Sequence, residues 1–361
     1  MANPVVNGGK VRVEALQTVV PTKPTDPRQS CRITVSQNAG SAAVLQRRFH
    51  LLLCYNKGSS EDSGWLVAGQ IKESFGRVLQ DYPLLAGRLR WCDADLEIVC
   101  NDSGTRILET KAEMALAAFV KMEDKREDEA ELVFWEDLLQ HTPQFSPLFY
   151  VQVTNFTCGG YSIGISCSIL LGDPFTLTTI IKKWATLHTS IFPSNEIPQI
   201  PIFYLPNHGP PPSSTSLPIG SNTTKHITAE SLIFNFPANI LNSDNNITHK
   251  HLAAFCIEEA KRETGRKLAP NLSLLVQVPS EDDRVEVCSR EGLLECSKLD
   301  HGAEGVSFTR AWDELELDKI CFSEGNKPIY ASCWINSMVD EVCVIIAPST
   351  DQGLHIVVTF T

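Results

Sequence analysis

The sequence predicts an α+β fold in two domains, on three observations. Strand-like and helix-like segments mix without the regular strand–helix–strand alternation of a doubly wound sheet. Two apolar runs, over 148–156 and 161–168, flank Cys158-Gly159-Gly160 and predict an antiparallel hairpin of central strands. A segment rich in Pro, Ser, Thr and Asn then divides the chain. The expected organisation is a first domain over 1–190, a linker or crossover over 191–225, and a shortened second domain over 226–361.

The elements follow in order. Residues 11–20 alternate as a strand and stop at Pro21, and the proline-rich 21–29 is a loop. The run RFHLLLCY at 48–55 reads as a buried strand. Asp62 or Ser63 caps a helix whose Ala68, Ile71, Phe75, Val78 and Leu79 share one face. Pro83 ends that helix within YPLLAGRLR, and Gly87 opens a strand. The acidic 123–139 is expected as a solvated amphipathic helix. Asp173-Pro174 starts a helix over 174–188, with aspartate at the N-cap and proline at the first helical position. The second half restarts with a strand at 230–236, a helix capped by Thr248 and a strand at 272–278. An irregular polar region is expected over 280–305, then a short helix at 312–319 and strands at 330–334, 342–346 and 354–360.

Composition narrows the function classes. The chain has 361 residues, 43% apolar and 20% charged, as in soluble globular proteins. A net charge of −12 argues against nucleic acid or an anionic membrane surface as a general partner. No apolar run approaches the roughly 18 residues of a membrane-spanning helix. The first residues, MANPVVNGGKVRVEA, lack a secretory pattern, so a cytoplasmic location is expected; a monomer is a separate expectation. Twelve cysteines without CxxC spacing read as reduced thiols, and no metal site is expected. His249 and His251, two residues apart, cannot share a helical face.

Residues 159–175, GGYSIGISCSILLGDPF, resemble the central motif of the BAHD acyltransferases, in which His-x-x-x-Asp ends a strand where two domains meet. The strand ending VVPTKPT, the string Tyr82-Pro-Leu-Leu-Ala-Gly-Arg88-Leu, the approach Gln144-Phe-Ser-Pro-Leu-Phe149 and Ser332-Cys-Trp334 are similar to that family in the same order. The resemblance implies the family's two-domain architecture, akin to chloramphenicol acetyltransferase, with an interdomain channel. It also implies a histidine base that deprotonates an acceptor for attack on an acyl-CoA thioester. Here Asp173 stands at the aspartate position, but Ile169 occupies the place of the histidine. Imidazole suits proton transfer near neutrality, and isoleucine transfers no proton. The family's second signature, Asp-Phe-Gly-Trp-Gly, is replaced by Asn336-Ser-Met-Val-Asp340, and the region after Val278 is shortened. These departures bear on CoA binding as well as chemistry. They are similar to the eceriferum-like branch, whose members support very-long-chain fatty acid elongation for surface wax without acyl transfer of their own.

The site expectations follow from these residues. No catalytic residue is assigned; Asp173 is a structural N-cap, and Ser168, Ile169, Trp334 and His301 are the candidates to line the channel. Cys167 is a core thiol on the opposite side of its strand from Ser166 and Ser168. Three functional readings stand side by side. The first is an eceriferum-like factor at the endoplasmic reticulum whose partner is a fatty-acid elongase condensing enzyme. The second is an acyl-CoA-dependent acyltransferase with a substitute base. The third is a repurposed lyase or cyclase holding a small-molecule ligand by shape and desolvation. Ile169→His is expected not to restore acyl transfer, and to leave the fold intact if residue 169 lines an open channel.

Overall fold

A computed structural model describes residues 11–35, 45–57, 64–93, 95–139, 141–193, 229–238, 248–266, 269, 271–277, 283–289, 306–310, 312–336, 341–349 and 353–360. The strands are β1 (Val11–Val19), β2 (Ser30–Val35), β3 (Arg48–Tyr55), β4 (Arg88–Cys92), β5 (Asp95–Val99), β6 (Thr105–Ala112), β7 (Phe149–Asn155) and β8 (Tyr161–Ser168) in the first half. The second half holds β9 (Glu230–Phe236), β10 (Asn271–Val276), β11 (Asp283–Ser289), β12 (Ser307–Thr309), β13 (Tyr330–Ile335), β14 (Glu341–Pro348) and β15 (Leu354–Phe360). The helices are α1 (Gly64–Asp81), α2 (Leu116–Val120), α3 (Arg126–Glu131), α4 (Pro174–Ile191) and α5 (His249–Thr264).

These strands make two sheets, one of six in the order β1-β6-β7-β8-β3-β13 and one of nine in the order β12-β9-β15-β14-β10-β11-β2-β5-β4. Parallel and antiparallel pairs mix in both: β6 with β7, β10 with β14 and β11 with β2 run parallel. Sheet membership crosses the 191–225 segment in both directions. Strands β2, β4 and β5 from the first half complete the nine-stranded sheet, and β13 from the second half completes the six-stranded one. Most of 191–225 lies outside the described residues.

Side-chain alternation along the strands sorts the core into three layers. The largest gathers the inner faces of both sheets with α1 and α4: Leu51, Phe75, Phe149, Ile165 and Trp184 meet Leu275, Ile345 and Val357. A second lies between the other face of the nine-stranded sheet and α5. A third lies on the outer face of the six-stranded sheet, under α2 and residues 130–133. The hairpin is as expected: Phe156 N donates to Gly160 O at 2.9 Å across the Cys158-Gly159-Gly160 turn. In YPLLAGRL, residues Pro83–Ala86 form a 3-10 turn, and a Cβ at Gly87 would lie 2.8 Å from the Val99 carbonyl, so only glycine fits. Thr248 caps α5 with His251, whose Nδ1 accepts from the Thr248 N–H at 3.1 Å, a local role for a histidine beside a helix start.

Three expectations are corrected. Of the acidic 123–139, only Arg126–Glu131 is helical. The next residues are an extended strap because Leu132, Val133 and Leu138 turn inward and are buried. The polar stretch after residue 280 holds a strand, β11, which gains partners on both edges, β10 and β2. The short helix expected at 312–319 is two 3-10 turns, Asp313–Leu315 and Leu317–Lys319.

Candidate functional site

The site is built on the end of β8. Every residue of that strand is buried between β7 and β3. Ile163, Ile165 and Cys167 face the core between the sheets, and Ser162, Ser166 and Ser168 take the opposite face. The chain leaves the strand as a 3-10 turn over Ile169–Leu171, because the Ser168 Oγ accepts from the Leu170 N–H at 3.3 Å. Ser168 N donates to Leu148 O at 2.8 Å, and Ile169 N to Arg47 O at 3.2 Å.

Ile169 has no accessible surface and packs in the core between the sheets. Its carbonyl accepts from the Gln277 Nε2 at 3.1 Å, and Gln277 N donates to Ile346 O at 2.9 Å. Gln277 directly follows β10, so this amide ties the nine-stranded sheet to the turn that ends β8. The Cys167 thiol beside it is pushed well above its ordinary range by burial. Asp173, 3% exposed, spends both oxygens on the start of α4: Oδ1 accepts from the N–H groups of Phe175 at 2.8 Å and Thr176 at 3.0 Å, and Oδ2 accepts from the Thr176 hydroxyl at 2.6 Å.

The outer face of the same sheet is unexpectedly polar. In register across four neighbouring strands stand Tyr150, Ser166, His50 and Trp334. The buried His50 ring lies between Trp135 at 4.5 Å and Trp334 at 5.2 Å. Arg48 is buried, donates to carbonyl oxygens, and has its pKa lowered by burial. A third polar group joins α1 to α4. The Ser74 hydroxyl donates to Ile71 O at 3.1 Å, accepts from Trp184 Nε1 at 2.9 Å and lies 2.8 Å from His188 Nδ1. With its one proton given to Ile71, Ser74 must accept from an Nδ1–H of His188. Burial lowers the His188 pKa to about 4, so the ring is neutral at pH 7 and pins the helices.

The four residues expected to line one channel are therefore arranged differently. Ser168 and Ile169 are wholly buried and point to opposite sides of their sheet. Trp334 sits in the third core layer, on the face opposite Ile169, because alternation along β13 sets it across from His50. His301 lies outside the described residues. Burial at position 169 also removes the condition under which Ile169→His would be harmless. Sequence reading missed Arg48 and His50, hidden inside an apolar run, and the Ser74–His188 pair, whose members lie on separate helices. Among the described residues no three His, Cys, Asp or Glu side chains gather as a metal site. At the end of β8 residue 169 is aliphatic with no open surface, and the nearby Asp173 carboxylate is committed to the start of α4.

Residues 10–235 match the model of the family described as Transferase family. Protein ECERIFERUM 26-like of Arabidopsis thaliana is 31% identical over 137 residues, which is 36% of this chain and 30% of that protein. Protein ECERIFERUM 2 of the same organism is 34% identical over 129 residues, 33% of this chain and 30% of that protein. Taxadien-5-alpha-ol O-acetyltransferase of Taxus cuspidata is 32% identical over 145 residues, 40% of this chain and 33% of that protein. The matches span about a third of the length of these relatives. The crystal structure of vinorine synthase superposes over 97% of this chain and 94% of that one, with a TM-score of 0.49 and 16% identity. No described helix is long and apolar enough to cross a membrane. Since the family model covers more than half of the sequence, this chain belongs to the transferase family of BAHD acyltransferases.

Proposed function

We propose that this chain is an eceriferum-like factor that promotes very-long-chain fatty acyl elongation by contact with a membrane-bound condensing enzyme, and that it transfers no acyl group itself. The observation that carries this reading is the burial of Ile169, with its carbonyl held by Gln277 across the two sheets. A general base must reach the proton that it removes, in a site open to the acceptor. An aliphatic side chain packed in the core meets neither need. The two ECERIFERUM relatives support the same branch. A peripheral place at the endoplasmic reticulum belongs to this reading.

A second reading, acyl-CoA-dependent transfer with a substitute base, is supported by the similar identity to the Taxus O-acetyltransferase. One experiment separates the two. Yeast microsomes containing a condensing enzyme, with and without the full chain, are assayed for acyl chain length, and the purified chain is assayed with a panel of acyl-CoAs and alcohol or amine acceptors. Longer products without turnover by the chain alone are expected. Turnover by the purified chain, or unchanged product lengths, would count against the first reading.

A further inference from the structure

The outer face of the six-stranded sheet carries an excess of buried positive charge. Arg48 reaches from β3 across β8, so that its guanidinium lies 5.1 Å from the centre of the Tyr150 ring. It donates to three backbone carbonyls, Glu136 O at 3.1 Å, Leu148 O at 3.4 Å and Pro147 O at 3.5 Å, and to no carboxylate. Arg106 stands opposite Tyr150 on β6, half-buried, and donates to the Thr18 hydroxyl. Arg88 is bound to the carbonyls of Gly87, Ser103 and Gly104, beside the start of β6. None of the three arginines forms an ion pair with a described residue. The carboxylates acting on this region, Glu136 and Asp137, belong to exposed residues of the strap.

Donors are also left over in the same place. Arg48 Nε, Tyr150 Oη and Ser166 Oγ are buried and have no hydrogen-bond partner. Tyr150 and Ser166 stand directly opposite each other on β7 and β8. A buried donor without an acceptor costs about 1–3 kcal/mol, and a buried charge without a counter-charge costs more. Both deficits are met by one kind of ligand, an oxyanion, which accepts several hydrogen bonds and brings negative charge. The strap over 132–138 closes the region from above. Its Leu132 carbonyl leaves no room for a Cβ at Gly164, which would lie 2.0 Å away, and its Phe134 meets the Tyr150 ring edge-on at 5.7 Å. Arg106 and Phe134 are only half-buried, and mark the way in from solvent.

We propose that Arg48, Arg106, Tyr150 and Ser166 form an oxyanion-binding site under the 132–138 strap, which takes a carboxylate or phosphate group. The site lies on the outer face of the six-stranded sheet, opposite Ile169, and does not rest on the elongation reading. The test is titration of the purified full chain with sodium phosphate and, separately, sodium acetate, each against sodium chloride of equal ionic strength, followed by Tm and calorimetry. A saturable rise in Tm with at least one oxyanion, beyond that with chloride, is expected. A response to phosphate alone assigns a phosphate-bearing ligand, and a response to acetate alone a carboxylate. Tyr150→Phe and Arg106→Gln should each weaken binding about tenfold or more, since a hydrogen bond or ion pair to a charged group is lost. If Tyr150→Phe does not fold, Arg106→Gln at the half-exposed entrance decides. No saturable response to either anion, or a response unchanged in the folded variants, overturns the site.

Discussion

His188 can donate its Nδ1–H to Ser74 whether or not the ring is charged, but burial penalises the charged ring. Burial lowers its pKa to about 4, below the ordinary histidine value of 6.5. The unfolded chain therefore binds more protons than the folded one between those two values. The contribution is fully present above about pH 6.5 and is lost as pH falls towards about 4, where the loss amounts to roughly 3 kcal/mol. Urea unfolding from pH 7 to pH 4 should show a shallower loss of stability in His188→Phe than in the parent; parallel curves would refute the assignment. Asp173 acts by geometry alone. Asp173→Ala removes three hydrogen bonds at the start of α4 and should cost about 1–2 kcal/mol, and Asp173→Asn distinctly less, by the same measurement. At position 169, histidine would place a polar ring in a packed apolar layer. Ile169→His should destabilise by about 1–3 kcal/mol, read from denaturant midpoints, without creating acyl transfer.

Helices α1 and α4 meet through Phe75 and Trp184, whose ring centres are 4.4 Å apart, with Phe322 edge-on to Trp184 at 4.9 Å. Trp184→Ala should cost about 3–5 kcal/mol, and Trp184→Phe less, since it keeps the ring and loses mainly the bond to Ser74. A cost under 1 kcal/mol for the alanine variant, from chemical denaturation, would show that this contact is not where the helices are held. Both helices are legible in the sequence because their apolar residues recur at helical spacing and Asp-Pro marks a start. The strands β3 and β8 are legible for a different reason: they are buried on both faces, so RFHLLLCY and YSIGISCS are nearly free of charge. The strand β2, SCRITV, buries Ile33 alone, and β11, DRVEVCS, reads as polar loop in the same way. The strap over 132–138 departs from the helix that its acidic start predicts, because burial of Leu132 and Val133 outweighs local propensity. The candidate site is legible only in part. Asp173 declares its role through its neighbours in sequence, whereas the setting of Arg48 and His50 is created by residues from distant strands.

At the scale of the molecule, the two sheets share one core and exchange strands. Residues Ile233, Leu275, Val285, Cys343, Ile345 and Val357 of the second half pack in the same layer as α1, α4, β3 and β8. A chain cut at the Pro-rich segment would lose these partners. It would also lose β13, leaving the whole length of β3, all eight residues buried, as an open edge. Strands β2, β4 and β5 would keep one another but lose β11, the link that joins them to the rest of their sheet. Exposed apolar edges of this kind pair with other chains and aggregate. Residues 1–193 produced alone should therefore be insoluble or lack near-ultraviolet circular dichroism, and co-expression with residues 226–361 should recover soluble material in which the two pieces elute together. A monomeric 1–193 fragment that unfolds cooperatively would show that the strand exchange is dispensable, and that the first half is a self-sufficient domain in the sense its sequence suggests.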